Sequence, residues 1–254
     1  MTTNEFVKDQ LHVKIFGSRT EMGQGAASDA VEYLKNLLTA QEFVNIIFAA
    51  APSQNEFLAA MVESDVDWSR VNAFHMDEYI ALPSDASQGF GNFLRRAIFD
   101  KVPFHSVNYI NGQNAPEETL KQYKALLAEN KVDVVFMGIG ENGHIAFNDP
   151  HVADFNDPEV IKVVDLDEKC RMQQVNDGCF ACLDEVPTHA FTLTVPTLMA
   201  AKRRFCVVPA STKAQAVYNT INGPVSESCQ HLYYEYQKAP RFILIMIARH
   251  CYSN

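Results

Sequence analysis

Two short apolar runs constrain this chain more than anything else in it. Phe43–Ala51 and Lys131–Gly138 are nearly continuous in hydrophobic residues and do not alternate. A strand with one wet face alternates, so an unbroken run of this length suits a strand buried on both faces, as in a parallel sheet covered by helices. Other segments repeat the theme. Leu11–Gly17, Val71–His75, Phe205–Val208 and Phe242–Ile247 have strand character. Between them, residues 28–39, 56–61, 88–99, 116–130 and 211–222 have helical character, with stripes such as Leu120, Tyr123 and Leu127; Ser211 is placed as the last helix's N-cap. Strand–helix alternation predicts an α/β fold: a Rossmann-like, mostly parallel sheet with helices on both faces. Right-handed crossovers then put ligand-binding loops at the carboxyl ends of the strands. Residues 150–187 are polar and weakly periodic, and are expected to form a lid-like excursion over those ends. No Gly/Ser- or Pro-rich linker divides the chain, so residues 1–254 are expected to form one α/β domain.

Composition excludes several function classes. The formal charge is −10, whereas a nucleic-acid partner calls for a basic face. No apolar run is long enough to span a bilayer, and the start, MTTNEFVKDQLHVKIF, lacks the charged-then-apolar signal pattern. The cytoplasm is the default compartment, with neither a nucleic-acid nor a membrane partner. Cys179 and Cys182 form an isolated CxxC without the second pair that a zinc site calls for, so no metal is expected there.

Three segments carry the chemistry. FHMDEYIAL (74–82) follows a strand and puts Asp77 and Glu78 at its carboxyl end; carboxylates are seldom buried there as filler. GIGENGHIAFNDP (138–150) also follows a strand. Its Gly138-x-Gly140-x-x-Gly143 formally matches the dinucleotide fingerprint, but that motif belongs with the first strand and opens a long helix. Here the glycines instead let the backbone turn sharply beside a ligand. His144 then follows, with Asp149 five residues on, a pairing suited to proton exchange near neutral pH. In VVPASTKAQAV (207–217), Lys213 stands in the first turn of a helix, where an anion is favoured.

At these segments the sequence resembles the glucosamine-6-phosphate deaminase (isomerase) family, which is related in fold to 6-phosphogluconolactonases. MDEY at 76–79, GHIAFNDP at 143–150 and STK at 211–213 carry the resemblance, and their order and spacing agree over most of the chain. The resemblance implies conversion of an amino-sugar 6-phosphate and water into a ketose 6-phosphate and ammonia. It makes Asp77 the base that moves a proton between C2 and C1, His144 the group that opens the pyranose ring, Asp149 its carboxylate partner and Lys213 a phosphate contact. It implies no metal or organic cofactor, a small sugar phosphate as the partner, and compatibility with a homo-oligomer.

The chain departs from the family pattern at three places. Asn142 replaces the usual aspartate before Gly-His and supports less basicity on His144 than a carboxylate would. Asp149 is one methylene shorter than the usual glutamate. The phosphate loop, normally glycine-rich, reads AAAPSQNEF (49–57), leaving Ser53, Gln54 and Asn55 as replacement donors. Glu78, Gly138 and Gly143 complete the expected substrate-binding set, and Arg171 is the arginine nearest the place of the family's second phosphate contact. Two alternatives accompany the deaminase: an isomerase or lactonase acting on another sugar phosphate, suggested by the altered loop, and a catalytically impaired sugar-phosphate binder, suggested by Asn142.

Overall fold

The computed structural model describes residues 2–8, 11–223 and 243–248. Its strands are β1 (Thr2–Lys8), β2 (Leu11–Phe16), β3 (Val44–Phe48), β4 (Val71–His75), β5 (Asp77–Tyr79), β6 (Ser106–Asn108), β7 (Val134–Met137), β8 (Ile161–Asp165), β9 (His189–Leu193), β10 (Arg203–Val208) and β11 (Ile243–Ala248). The α-helices are α1 (Arg19–Ala40), α2 (Asn55–Val62), α3 (Phe90–Leu94), α4 (Pro116–Glu129), α5 (Glu168–Asn176), α6 (Val195–Met199) and α7 (Ala214–Asn222).

Eight strands form one sheet in the order β1-β2-β11-β10-β7-β3-β4-β6. Every pairing in it is parallel except β1 with β2. The apolar runs that demanded burial on both faces are its centre: all four residues of β7 are buried, as are Val44, Ile46, Ile47 and Phe48 of β3. Phe136 packs edge-on against Phe48, Phe57 and Phe205, with centroids 5.2, 4.9 and 5.7 Å away, joining three strands to α2.

A second sheet, β5-β9-β8, is antiparallel. Its strand β8, with α5, gives the expected lid at 150–187 ordered structure: β8 is one edge of this sheet, and α5 lies over the carboxyl ends of the central strands. The two sheets meet at one residue. The chain leaves β4, passes Met76 and enters β5, while the Met76 carbonyl accepts from Leu193 N at 2.8 Å. Asp77 is thereby placed at the carboxyl edge of the large sheet.

Two helix expectations are corrected. The first helix starts at Arg19, nine residues before the periodic stretch at 28, because Ser18 caps it by accepting from Glu21 N at 3.2 Å. Gly23 disguises that start; it is glycine because a Cβ there would stand 2.6 Å from the Glu56 backbone on α2. Ser211 does not cap the last helix. It opens a short 3-10 turn, Ser211–Lys213, and α7 begins behind it.

Candidate active site

Asp77 is held by the end of β4. The Tyr123 hydroxyl on α4 donates to the His75 carbonyl at 2.8 Å and accepts from His75 N at 3.0 Å. The His75 ring accepts from Ile110 N at 2.8 Å, and burial lowers its pKa to about 4, so it is a neutral structural histidine. Next in line, Asp77 is buried and borders the main cleft at the strand ends. Burial, with the neighbouring Glu78 charge, raises its pKa well above the usual carboxylate range. An aspartate in such a place is a strong base when ionised.

Glu78 does not join it. Its carboxylate accepts from Tyr79 N and Phe90 N, each at 3.0 Å, and from Gly91 N at 2.8 Å. The period-two alternation of a strand points it away from its neighbour, and there it caps the start of α3. Burial raises its pKa, and the three N–H donors oppose that rise. The substrate contact expected of Glu78 is replaced by this structural role.

His144 sits in the turn after β7. A Cβ on Gly140 would stand 2.2–2.4 Å from three atoms of the imidazole, so only glycine lets the ring lie there. Gly143 adopts φ 92°, the left-handed conformation that glycine tolerates. His144 N and Nδ1 both donate to Asn142 Oδ1, at 3.0 and 2.6 Å, and Nδ1 lies 3.1 Å from Asp149 Oδ1. Asn142 Nδ2 donates to Asp149 Oδ1 at 2.9 Å, which fixes which way the amide faces. Nδ1 therefore meets only acceptors and keeps the proton of the neutral ring, leaving Nε2 as its basic atom. Burial pushes the Asp149 pKa up, but His144, Asn142 and Cys170 together bring it below the usual value. The turn is anchored to the second sheet: Asn148 Nδ2 donates to Leu193 O at 2.8 Å, and Phe147 N to Thr192 Oγ1 at 3.1 Å.

The other end of the cleft is cationic. Lys213 is buried; its Nζ is 3.5 Å from Glu141 Oε1 and makes no hydrogen bond among the described residues. Ser53 and Gly138 border the same space. Gln54 and Asn55 do not. Gln54 is buried behind Ser53, with Nε2 within 3.1 Å of Ser53 Oγ, 3.4 Å of Met137 O and 3.3 Å of Val207 O, tying the ends of β7 and β10. Asn55 opens α2 on the exposed side. Arg171 is also directed elsewhere, donating to the carbonyls of Leu183 and Val186.

The family model described as glucosamine-6-phosphate isomerases/6-phosphogluconolactonase matches residues 17–232. The chain belongs to this family. Glucosamine-6-phosphate deaminases of Bacillus thuringiensis (strain Al Hakam) and Bacillus cereus (strain B4264) are each 35% identical to it over 204 residues, 80% of this chain and 76% of theirs. Among solved structures, a monomeric glucosamine-6-phosphate deaminase superposes with a TM-score of 0.83 at 22% identity, covering 94% of this chain and 98% of that one. A 6-phosphogluconolactonase from Thermotoga maritima superposes with a TM-score of 0.76 at 13% identity, covering 94% and 100%. Likeness at such identities concerns the fold.

This member of the glucosamine-6-phosphate isomerase family lines its cleft with four polar residues that sequence reasoning passed over: Arg19, Gln173, Gln174 and Asp177. Arg19 opens α1 and grips Glu56 with two bonds of 2.7 and 2.9 Å, and the Pro52 carbonyl at 3.0 Å. Recognising Ser18 as a cap would have placed Arg19 at a helix start beside the 49–57 loop. Gln173, Gln174 and Asp177 come from α5, inside the segment read as a lid. No helix among the described residues is long and apolar enough to cross a membrane.

Proposed function

We propose that the chain converts glucosamine 6-phosphate and water into fructose 6-phosphate and ammonia. The observation that carries this is the convergence on one cleft of a buried carboxylate with a raised pKa, Asp77, and an imidazole held with Nε2 as its basic atom, His144. Lys213 borders the same cleft with an ammonium that, among the described residues, faces the Glu141 carboxylate at 3.5 Å but makes no hydrogen bond. His144 Nε2 takes the proton of the anomeric hydroxyl and returns it to the ring oxygen, opening the pyranose. Asp77 then removes the C2 proton and delivers it to C1, while a proton of the amino group passes to O1. The resulting 2-imine adds water and releases ammonia. Lys213, with Ser53 and Arg19 beside it, holds the phosphate. Asn142 and Asp149 keep the His144 tautomer fixed.

The test is direct. Purified protein is given glucosamine 6-phosphate, and ammonia and fructose 6-phosphate are followed together; equal release of both is expected, and no turnover of this substrate or its galactosamine epimer overturns the proposal. Asp77→Asn is expected to lower exchange of the C2 proton with deuterated water by about 10²- to 10⁴-fold while substrate still binds. Exchange retained in that variant removes Asp77 from the role. The loop at 49–57, which lacks the glycines of the family, favours one second reading: an isomerase or lactonase of another sugar phosphate. Turnover of 6-phosphogluconolactone with none of the amino sugars would select it.

A further inference from the structure

Asp149 lies where two groups of potential metal ligands meet. In the first, His144, Asp149 and Cys170 are all buried, and one donor atom from each lies within 4.8 Å of the others. In the second, Asp149 is grouped by the same distance with His151 and Asp167, and His151 is exposed. The site described above uses Asp149 Oδ1; Oδ2 is fully buried, and the Cys170 thiol is among the groups that hold the Asp149 carboxyl below its usual pKa. Cys170, in the first turn of α5, is held toward it by Asp167, whose side chain accepts from Cys170 N at 2.6 Å. We propose that His144 Nδ1, the Asp149 carboxylate and Cys170 Sγ form an inhibitory site for a borderline-soft divalent cation of the Zn²⁺ type.

The donor set decides the class of ion. One nitrogen, one oxygen and one sulfur, with a fourth position for water, suit Zn²⁺ and exclude Ca²⁺ or Mg²⁺, which take oxygen ligands. Ligand pairs on such a centre stand about 3–4 Å apart, so the three groups must draw together only slightly. His151 and Asp167 give the cation a way in from the surface. On binding, the Cys170 thiol loses its proton to solvent, and the thiolate and carboxylate meet the double charge. The imidazole stays neutral, but its proton moves from Nδ1 to Nε2. The ring's free nitrogen thus changes from acceptor to donor. That consequence rests on the proposed role of His144 in ring opening, whereas binding of the ion does not.

Co²⁺ is the probe, because a thiolate ligand gives it a charge-transfer band in the near ultraviolet. Added to the full chain, it is expected to produce that band, and Zn²⁺ to abolish it by displacement. The Cys179→Ser/Cys182→Ser double variant is expected to keep the band. Cys170→Ser and Cys170→Ala are expected to lose it, and Asp149→Asn to weaken Co²⁺ binding at least about tenfold. No band in the wild-type chain, a band that survives both Cys170 substitutions, or one that vanishes with the 179/182 pair overturns the site. The wild-type and double-variant measurements leave the buried cluster untouched, so they stand even where a Cys170 variant fails to fold. Zn²⁺ is also expected to stop amino-sugar turnover, reversibly on chelation; full turnover with the ion bound overturns the inhibitory role. The cobalt spectrum needs no substrate, so failure of the proposed activity and failure of this site are told apart.

Discussion

Asn142 shows how one atom changes the chemistry of a site. Its Oδ1 accepts twice from His144, and its Nδ2 donates to Asp149 at 2.9 Å. An aspartate keeps the first function and reverses the second, because two carboxylates would then face each other across that distance. Like charges so placed cannot both remain without a compensating proton or cation, and the imidazolium between them supplies one. Asn142→Asp is therefore expected to move the acid limb of the rate profile for closed-ring substrate to higher pH, by about one unit or more, since charges within 4–6 Å shift titration by roughly 1–3 units. A profile that does not move removes Asn142 from control of ring opening. The placement of Asp77, His144 and Asp149 at the strand ends was legible in the sequence because each stands in a short motif that follows a buried strand. Glu78 was misread because adjacent carboxylates look alike in sequence, while the pleat of β5 sends one to the cleft and the other to the backbone of α3.

At the scale of elements, Asp77, the proposed base, depends on groups set away from the cleft. Tyr123 on α4 closes both backbone hydrogen bonds of His75, two residues before Asp77. Tyr123→Phe leaves a buried N–H and a buried carbonyl without that partner, which costs about 1–3 kcal/mol. It also loosens the strand end that aims the base. Urea unfolding is expected to show that loss. Initial rates are expected to show kcat falling about 10- to 100-fold, as a small misplacement of a catalytic group does, with KM little changed because the phosphate grip is elsewhere. A stable variant with unchanged kcat would show that the tyrosine does not position Asp77. Tyr123 was legible as part of the α4 stripe, but its hydroxyl was not, because periodicity reports burial and not partners. The second sheet was hidden for a similar reason. β5 has three residues, too few for any period, and β8 lies within a polar segment whose pairing with β9 is non-local. By contrast β3 and β7 stood out because burial on both faces favours a nearly unbroken apolar run.

Across the whole molecule, the two aspartates of the site act oppositely on stability. Asp149 has a lowered pKa, so the stability it contributes is present above the ordinary carboxylate range and is lost as pH falls through its folded value. Asp77 has a raised pKa, chiefly from burial. Above the ordinary aspartate value the folded chain holds a proton that the unfolded chain has released, so stability falls as pH rises toward the folded pKa, by up to about 1.4 kcal/mol per pH unit. A buried carboxyl of this kind thus opposes folding once it ionises, the state the proposed role requires of it. Asp77→Asn removes the charge and keeps the shape. It is expected to raise Tm at neutral pH by a few degrees, since 1 kcal/mol corresponds to about 2–4 °C in a chain of this size. The gain should shrink toward zero as pH falls toward about 4, where the unfolded carboxyl begins to hold the proton that the folded one already holds. Thermal unfolding of both proteins from pH 4 to pH 8 measures it. A gain that is absent at neutral pH, or that grows as the solution is acidified, would mean that the Asp77 carboxylate is stabilised in the fold and is not the high-pKa base its burial implies.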